Sequence, residues 1–250
     1  MKNILIITAV ALAFNTSAQL SGKVSYEEKI KLNIQIDDTD ANNEMLRNLP
    51  KEKTSTKELV FNSEASLYKR DPAGDKKKDL ESESGEGKIV IKMDEPDDCS
   101  YADLKEKKVY DQREFMSRQF LIMSGFEDQV WKLTGNEKKI LDYPCQEAVL
   151  QDTNKKAIAW FTSAIPVSIG PNGYCNLPGL ILRVEVNGGD QVMTATKVDL
   201  SPVDAKQIVK PKDGKKMTKP EFRKMVAEKQ KEMQEENGGG GNNVIIRIKH

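Results

Sequence analysis

Apolar and polar residues alternate with a period of two in parts of the chain before residue 218, and this pattern predicts β-strands. The clearest run lies at 24–36, where apolar residues alternate with lysine and other polar residues. Successive side chains of a strand point to opposite faces, so one face of this strand is predicted to be buried and the other solvated. The chain is therefore predicted to be mainly β and built around an antiparallel sheet.

Short apolar segments between turn residues extend this prediction along the chain. Further strands are predicted at 58–62, 65–68, 88–93, 108–111, 114–123, 130–133, 139–141, 148–151, 157–162, 180–186 and 192–200. The charged, glycine-containing segment 71–88 is predicted to be a loop, because it offers little apolar surface to a core. Regular short strands separated by Gly, Pro, Asn and Asp are typical of an antiparallel meander.

The stretch 165–182 is predicted to be a corner that returns the chain to the sheet. It contains two turn sequences, Gly170-Pro171-Asn172-Gly173 and Leu177-Pro178-Gly179, between apolar segments. Glycine supplies positive φ and proline presets φ in such turns. Because the stretch contains no catalytic group, it is predicted to be a scaffold element.

From residue 218 the period changes to that of a helix. Thr218 followed by Glu221 is a capping-box sequence, Pro220 falls in the first turn, and the glycines from Gly238 onward end the pattern near Asn237. The helix at 218–237 carries only a thin apolar stripe. It is therefore predicted to lie on the outside of the sheet.

The final segment, 238–250, is predicted to be a glycine tether followed by a terminal strand. The strand offers four apolar residues to a sheet edge: Val244, Ile245, Ile246 and Ile248. Such a strand either closes the chain's own sheet or is donated to a partner, and the sequence leaves both alternatives open.

The first 18 residues have the pattern of a cleaved secretory signal peptide. Lys2 precedes an apolar run at 4–14, and small residues lead to the predicted cleavage site after Ala18. The run is too short to span a bilayer, which takes about 20 apolar residues. The segment 19–217 is therefore predicted to be the β domain of an exported, periplasmic protein that does not span the membrane.

The charge balance and the residue composition exclude several kinds of binding site and active site. The chain has 39 basic and 39 acidic residues with the signs interspersed, so no field of one sign attracts nucleic acid. Its single histidine, His250, excludes His-based triads and His metal clusters. No phosphate-binding glycine loop is present. The sequence therefore predicts no enzyme, no cofactor and no metal site.

Three cysteines in an exported chain permit one intramolecular disulfide at most. The candidate pair is Cys145 and Cys175, because both lie in the tightly turned half and neighbouring strands can bring them together. The chain-entropy model gives such a bond roughly 3–4 kcal/mol of stabilisation. A bond between Cys99 and Cys145, or three free thiols that pack as small apolar residues, are the alternatives.

An ordered set of residues runs through the middle third of the chain. It comprises Trp131, Lys139-Ile140-Leu141, Tyr143, Cys145, Ala148, Ala159-Trp160-Phe161, Ile165-Pro166, Gly170-Pro171 and Leu177-Pro178-Gly179-Leu180-Ile181-Leu182. This set resembles the signature of the GLPGLI family, exported proteins of the Bacteroidetes without an established activity. The chain departs from the signature at Asn176, where the name-giving motif has its leading glycine.

The resemblance implies a fold, a set of structural residues and a setting. The implied fold is a curved antiparallel sheet, a half-barrel similar to that of periplasmic lipoprotein carriers. The residues carried over as structural are Trp131, Tyr143, Trp160, Pro166, Leu177, Pro178, Gly179 and Leu180. The resemblance also implies that the protein associates with outer-membrane TonB-dependent receptors.

Export, the lack of a catalytic constellation and the resemblance lead to one functional prediction. The chain is predicted to be a non-enzymatic periplasmic binding or accessory subunit of an outer-membrane protein complex. The alternative is a carrier of lipid or another apolar ligand in the concave face of the sheet. The aromatic residues Trp131, Tyr143, Trp160 and Phe161 are then either core or the lining of that face.

Overall fold

The structure is a computed structural model that describes residues 20–35, 50–71, 80–84, 87–91, 97–153, 155–237 and 245–248. The first strands are β1 (Gly22–Gln35), β2 (Glu52–Phe61), β3 (Ala65–Arg70), β4 (Leu80–Ser84), β5 (Gly87–Ile91), β6 (Cys99–Asp103), β7 (Lys108–Phe115) and β8 (Arg118–Gly125). The remaining elements are β9 (Trp131–Ile140), β10 (Tyr143–Leu150), β11 (Ala157–Thr162), β12 (Leu180–Val186), β13 (Gln191–Asp199), β14 (Lys215–Thr218), α1 (Lys219–Asn237) and β15 (Ile245–Ile248). The predicted signal peptide, the glycine tether and Val244 lie outside the described residues.

Thirteen of these strands form one open sheet. The order is β14-β8-β7-β6-β3-β2-β1-β13-β12-β11-β10-β9, and β15 pairs with β1 beside this path. The predicted mainly β fold with a C-terminal helix is confirmed. The prediction that the whole sheet is antiparallel is wrong at one edge, where β14 runs parallel to β8. Parallel neighbours need a long connection, and here the chain from β8 to β14 passes through the other half of the sheet.

The sequence-based prediction of two separate strands in the region of β9 is wrong. The segments at 130–133 and 139–141 belong to a single strand, because the polar residues between them form a bulge instead of a turn. Leu133 lies opposite Ala148, and Glu137 lies opposite Gln146. The side chains of Thr134 and Asn136 both donate to Glu147 Oε1, at 2.8 and 3.0 Å. Gly135 supplies the positive φ of +84° between them.

Three strands were not predicted from the sequence: β4, β6 and β14. β4 lies inside the segment 71–88, which was predicted to be a loop, and pairs with β5 in a separate two-stranded sheet. β4 and β14 consist largely of charged and hydroxyl residues, so they show no apolar period. Pairing with a neighbouring strand defines them, since backbone hydrogen bonds do not depend on side-chain polarity.

The core lies between the sheet and residues 163–179, which connect β11 to β12 and are called the inserted loop. One apolar cluster contains Val109 of β7, Cys145 of β10 and Ile169 of the inserted loop. The turn Pro171–Gly173 contacts β3, β6 and β7 as well as β12. These strands are far apart in the strand order, so the sheet curves around the loop. The inserted loop therefore fills the hollow of the sheet.

α1 begins at the capping box that the sequence predicts. Thr218 N donates to Glu221 Oε2 at 2.7 Å, and Glu221 N donates to Thr218 Oγ1 at 3.4 Å. The Phe222 ring packs against the rings of Phe120 and Phe115, with centroids 5.4 and 6.4 Å apart. The helix thus lies beside β8 at the margin of the sheet. Within the described residues, no helix combines the length and apolar character that crossing a bilayer requires.

The terminal strand pairs with the chain's own sheet. Ile245–Ile248 runs antiparallel to Leu32–Gln35 of β1. Of the two alternatives left open by the sequence, the structure therefore shows pairing within the chain. A strand donated by a partner would therefore have to pair with another edge of the sheet.

Candidate functional site

The inserted loop is tied to β12, the strand that follows it. Leu180 N donates to Ile165 O and Ile181 N donates to Ile169 O, each at 2.9 Å. The side chains of Ile165 and Ile169 are buried. A Cβ at Gly170 would lie 2.6 Å from the Cβ of Ile181, so glycine permits this close approach. The first turn sequence of the stretch therefore brings the loop backbone directly onto the sheet.

Residues at the start of β9 hold the far side of the inserted loop. Gln129 is 5% exposed; its side chain donates to Gly173 O at 2.8 Å and accepts from Cys175 N at 3.0 Å. Trp131 Nε1 donates to Cys175 O at 2.8 Å, and its ring lies 6.1 Å from that of Tyr174. Buried backbone groups without partners are costly, so these side chains determine the path of the loop.

Arg113 of β7 connects the inserted loop to the opposite half of the sheet. Its guanidinium donates to Asn172 Oδ1 at 2.5 Å and to Ser100 Oγ at 3.0 Å. It also forms an ion pair with Asp111 at 3.5 Å. Asn172 has a φ of +52°, a conformation that asparagine adopts more readily than most residues. The loop is consequently anchored to both halves of the curved sheet.

Asn176 also has a left-handed backbone, with a φ of +68°. Its Nδ2 donates to Gln129 O at 2.9 Å. Glycine and asparagine are the residues that take this conformation at low cost. The structure thus accounts for an asparagine at the position where the resembling motif has glycine, because both residues support the same turn.

Replacing Asn176 by alanine is expected to lower the free energy of unfolding by about 1.5 kcal/mol, while replacement by glycine changes it by less than about 0.7 kcal/mol. Both variants lose the bond from the Asn176 side chain to Gln129 O. Alanine in addition carries the steric cost of the left-handed backbone, which glycine does not. Urea unfolding of the two variants measures the difference. Equal stability of both variants would show that backbone conformation does not select the residue here.

Charged side chains from β7, the β10–β11 connection and α1 interact electrostatically with Lys155 or with Tyr174 of the inserted loop, and they are called the Lys155 cluster. They are Asp111, Arg113, Asp152, Lys155, Lys219 and Arg223. Lys155 Nζ lies 5.6 Å from the centroid of the Tyr174 ring. Burial, followed by the nearby cations of Lys219 and Arg113, lowers the pKa of Lys155 to about 8. The cluster contains four cations and two carboxylates, and a further carboxylate, that of Asp98, lies 3.8 Å from Arg113.

β9 forms one edge of the sheet and is exposed over residues 132–139. Among the strands that the structure describes, only β10 pairs with it. Gln151 N donates to Val130 O at 2.8 Å. Because bonded and non-bonded pairs alternate in an antiparallel ladder, the backbone N–H of Leu133 points away from β10. The side chains of Val130 and Leu133 are 57% and 54% exposed, so apolar surface accompanies free backbone groups.

Two grooves lie elsewhere on the surface. A groove of about 340 Å³ on the outer face of β1, β12 and β13 is lined by Glu27, Lys29, Lys31, Glu52, Arg183, Gly189, Val192, Thr194 and Thr196. A second, of about 90 Å³, is lined by Asp97, Asp98, Gln112, Glu114 and Gln119. Over the described ranges, no three metal-ligating His, Cys, Asp or Glu side chains gather in one place.

The structure does not contain the predicted disulfide between Cys145 and Cys175. Both carry free thiols, as does Cys99. Cys145 and Cys175 are each 1% exposed and belong to the same apolar cluster. Burial raises the pKa of both thiols, so they stay protonated at neutral pH. They pack as small apolar core residues, which was one of the alternatives from the sequence.

The eight residues carried over as structural occupy different environments. Three are buried: Leu177, Gly179 and Leu180. Three are half-buried: Trp131, Tyr143 and Trp160. Two are exposed: Pro166 and Pro178. Trp131 and Leu177 share one apolar cluster, while Tyr143 and Trp160 pack against another, so the eight do not form a single site.

Sequence reasoning missed three residues that the structure makes prominent: Gln129, Arg113 and Lys155. The partners of Gln129 in the inserted loop lie 44 and 46 positions away, and Asn172 lies 59 positions from Arg113. Neither residue belongs to a local motif. The sequence offered only a polar residue next to apolar neighbours, as in Gln129-Val130-Trp131. That pattern does not indicate which distant residue forms the hydrogen bond.

Comparison with known proteins gives a family match over part of the chain. Residues 151–183 match a family described as "Protein of unknown function (Porph_ging)". The match falls within the stretch that carries the resemblance found in the sequence, although under another name than GLPGLI. No curated protein matches the chain.

Solved structures of PNGF-II are similar in fold. The P21 crystal form has a TM-score of 0.50 at 16% identity and covers 83% of this chain and 33% of that chain. The C2 form has a TM-score of 0.47 at 17% identity, with coverages of 81% and 32%. The chain thus spans about a third of the length of the structures it matches. Residues 151–183 resemble a family of unknown function, and the P21 form of PNGF-II supports the fold alone.

Proposed function

We propose that the chain is a non-enzymatic periplasmic binding subunit that docks onto an outer-membrane protein of the TonB-dependent receptor type through the open edge of β9. The observation that carries the proposal is this ten-residue edge strand, which is exposed along most of its length. An extended segment of a partner adds to such an edge by main-chain hydrogen bonds.

The two edge strands of the sheet differ, and the difference favours β9 as the edge to which a partner strand binds. β14, the strand at the other end, has four residues and leads directly into α1, which packs beside β8. Short or covered edges are how soluble proteins avoid unwanted strand pairing. β9 is long and uncovered within the described part of the chain, so it is the end that offers a partner a continuous row of donors and acceptors.

Charge along β9 favours an acidic partner strand. Lys132, Lys138 and Lys139 are exposed there, against the single carboxylate of Glu137. Lysines on an edge oppose pairing between two copies of the same strand, because like charges would face each other. A partner strand that carries Asp or Glu would instead be attracted.

The alternative of an apolar carrier is less well supported by the geometry. The hollow of the sheet is occupied by the inserted loop, whose Ile165, Val167 and Ile169 are 1%, 6% and 1% exposed. A lipid would have to displace these side chains and break the hydrogen bonds of Gln129 to the loop. Burial of that apolar surface by the chain itself opposes such a displacement.

The test is affinity purification of the tagged chain from mildly solubilised envelopes, with the eluate identified by mass spectrometry. Leu133→Pro removes the outward N–H of the edge without removing a bond to β10, and it is expected to abolish recovery of the outer-membrane partner. Leu133→Ala keeps the N–H and is expected to retain the partner.

Circular dichroism of both variants verifies that the sheet remains folded. Elution of the wild-type chain without an outer-membrane protein contradicts the proposal. Undiminished recovery of the partner with Leu133→Pro contradicts the assignment of the docking edge to β9.

A further inference from the structure

The larger groove, on the outer face of β1, β12 and β13, has no part in the proposed function. Its volume of about 340 Å³ falls within the range of about 300–1,000 Å³ that is usual for small-molecule sites. The half-buried side chains of Val192 and Thr194 line it and give it apolar surface. Thr194 Oγ1 accepts a hydrogen bond from Arg183 at 2.8 Å, so its own proton can be donated to a ligand.

Most of the charges at this groove are paired within the protein. Lys29 Nζ lies 3.0 Å from Glu27 Oε1. The guanidinium of Arg183 lies 3.4 Å from Glu185 Oε2, a carboxylate next to the groove. These four charges are therefore neutralised without a ligand.

The remaining charges of the groove are one cation and one carboxylate, those of Lys31 and Glu52. The two residues occupy directly opposite positions of β1 and β2. Neither forms an ion pair with a residue in the described part of the chain. The Cβ atoms of opposite residues lie about 4.5–5.5 Å apart, so both charges can reach the same small ligand.

Gly189, in the β12–β13 turn, keeps space open at one end of the groove. A Cβ at this position would lie 3.5 Å from Lys31 Nζ and 4.0 Å from Glu185 Oε1. The Lys31 ammonium group therefore lies beside the turn, and a longer side chain at residue 189 would compete with a ligand for the space next to it.

We propose that this groove binds a zwitterion, a free α-amino acid with an aliphatic side chain. Such a ligand carries its ammonium and carboxylate groups on one carbon, which matches a carboxylate and an ammonium presented from opposite positions of two strands. Lys31 donates to the ligand carboxylate, and Glu52 accepts from the ligand ammonium. The aliphatic side chain packs against Val192. β9 does not line the groove, so the inference does not depend on the proposed docking edge.

Isothermal titration calorimetry of the full chain with L-leucine and two analogues tests the proposal. Isocaproate is leucine without its ammonium group, and isoamylamine is leucine without its carboxylate. Leucine is expected to bind with a dissociation constant of about 1 mM or lower, and each analogue about fivefold more weakly, because one charge pair is lost.

Two variants assign the ligand charges to their partners. Lys31→Met is expected to weaken leucine binding about fivefold and to leave isoamylamine binding unchanged. Glu52→Gln is expected to weaken leucine binding about as much and to leave isocaproate binding unchanged. Both residues are exposed, so neither replacement removes a side chain from the core.

Lys23→Met is the matched control. Lys23 lies on the same strand as Lys31, but its ammonium is 3.6 Å from Glu58 Oε2 and does not line the groove. Its replacement should leave leucine affinity unchanged. The proposal would be overturned by a lack of saturable leucine binding up to about 10 mM, by equal affinity for leucine and either analogue, or by equal effects of Lys23→Met and Lys31→Met.

Discussion

Replacing Gly179 by alanine is expected to lower the free energy of unfolding by about 3 kcal/mol or more, or to prevent folding. An added Cβ would overlap the carbonyl oxygen of Thr162 and lie 2.6 Å from its carbonyl carbon and 3.0 Å from Ser163 N. These are backbone atoms where the chain enters the inserted loop, so they cannot rotate away as a side chain would. Urea unfolding monitored by tryptophan fluorescence measures the loss.

Gly188→Ala is the control that separates overlap from backbone conformation. Gly188 has a φ of +71° in the β12–β13 turn, and no atom lies within 4 Å of an added Cβ. The expected cost is about 1–2 kcal/mol, from the left-handed conformation alone. If the two variants lose equal stability, close approach at Gly179 is not the reason for glycine there.

Replacing Gln129 by alanine is expected to cost about 3 kcal/mol. The change leaves the N–H of Cys175 and the C=O of Gly173 without the partners that the Gln129 side chain supplies. Each unsatisfied buried backbone group costs about 1–3 kcal/mol. Denaturant unfolding measures the total, and amide hydrogen exchange at Cys175 should become faster than in the wild type, since its protecting acceptor is removed.

Gln119→Ala is the corresponding surface control. Gln119 is exposed, and the hydrogen bond that its side chain accepts from Gln112 is 3.3 Å long. Its replacement should change stability by less than about 0.5 kcal/mol. A loss comparable to that of Gln129→Ala would mean that glutamine removal, and not the connection to the inserted loop, explains the effect.

Local sequence patterns correctly predicted the elements that have a regular side-chain period or that are stabilised by contacts between residues close in sequence. The alternation in β1 is matched by buried Val24 and Tyr26 on one face. The capping box placed the start of α1 at the correct residue, because its two hydrogen bonds join residues three positions apart. The bulge in β9 misled the prediction, since Thr134-Gly135-Asn136 has turn composition and only its bonds to Glu147 reveal a strand.

By itself the sequence determined that this protein is mainly β with one C-terminal helix, because side-chain period and capping act within a few residues. The tertiary structure decided the rest of the architecture. It placed β14 parallel to β8, paired β15 with β1, and brought Gln129, Arg113 and Lys155 to the inserted loop. These contacts join residues that are distant along the chain, and such contacts form only when the curved sheet closes around the loop.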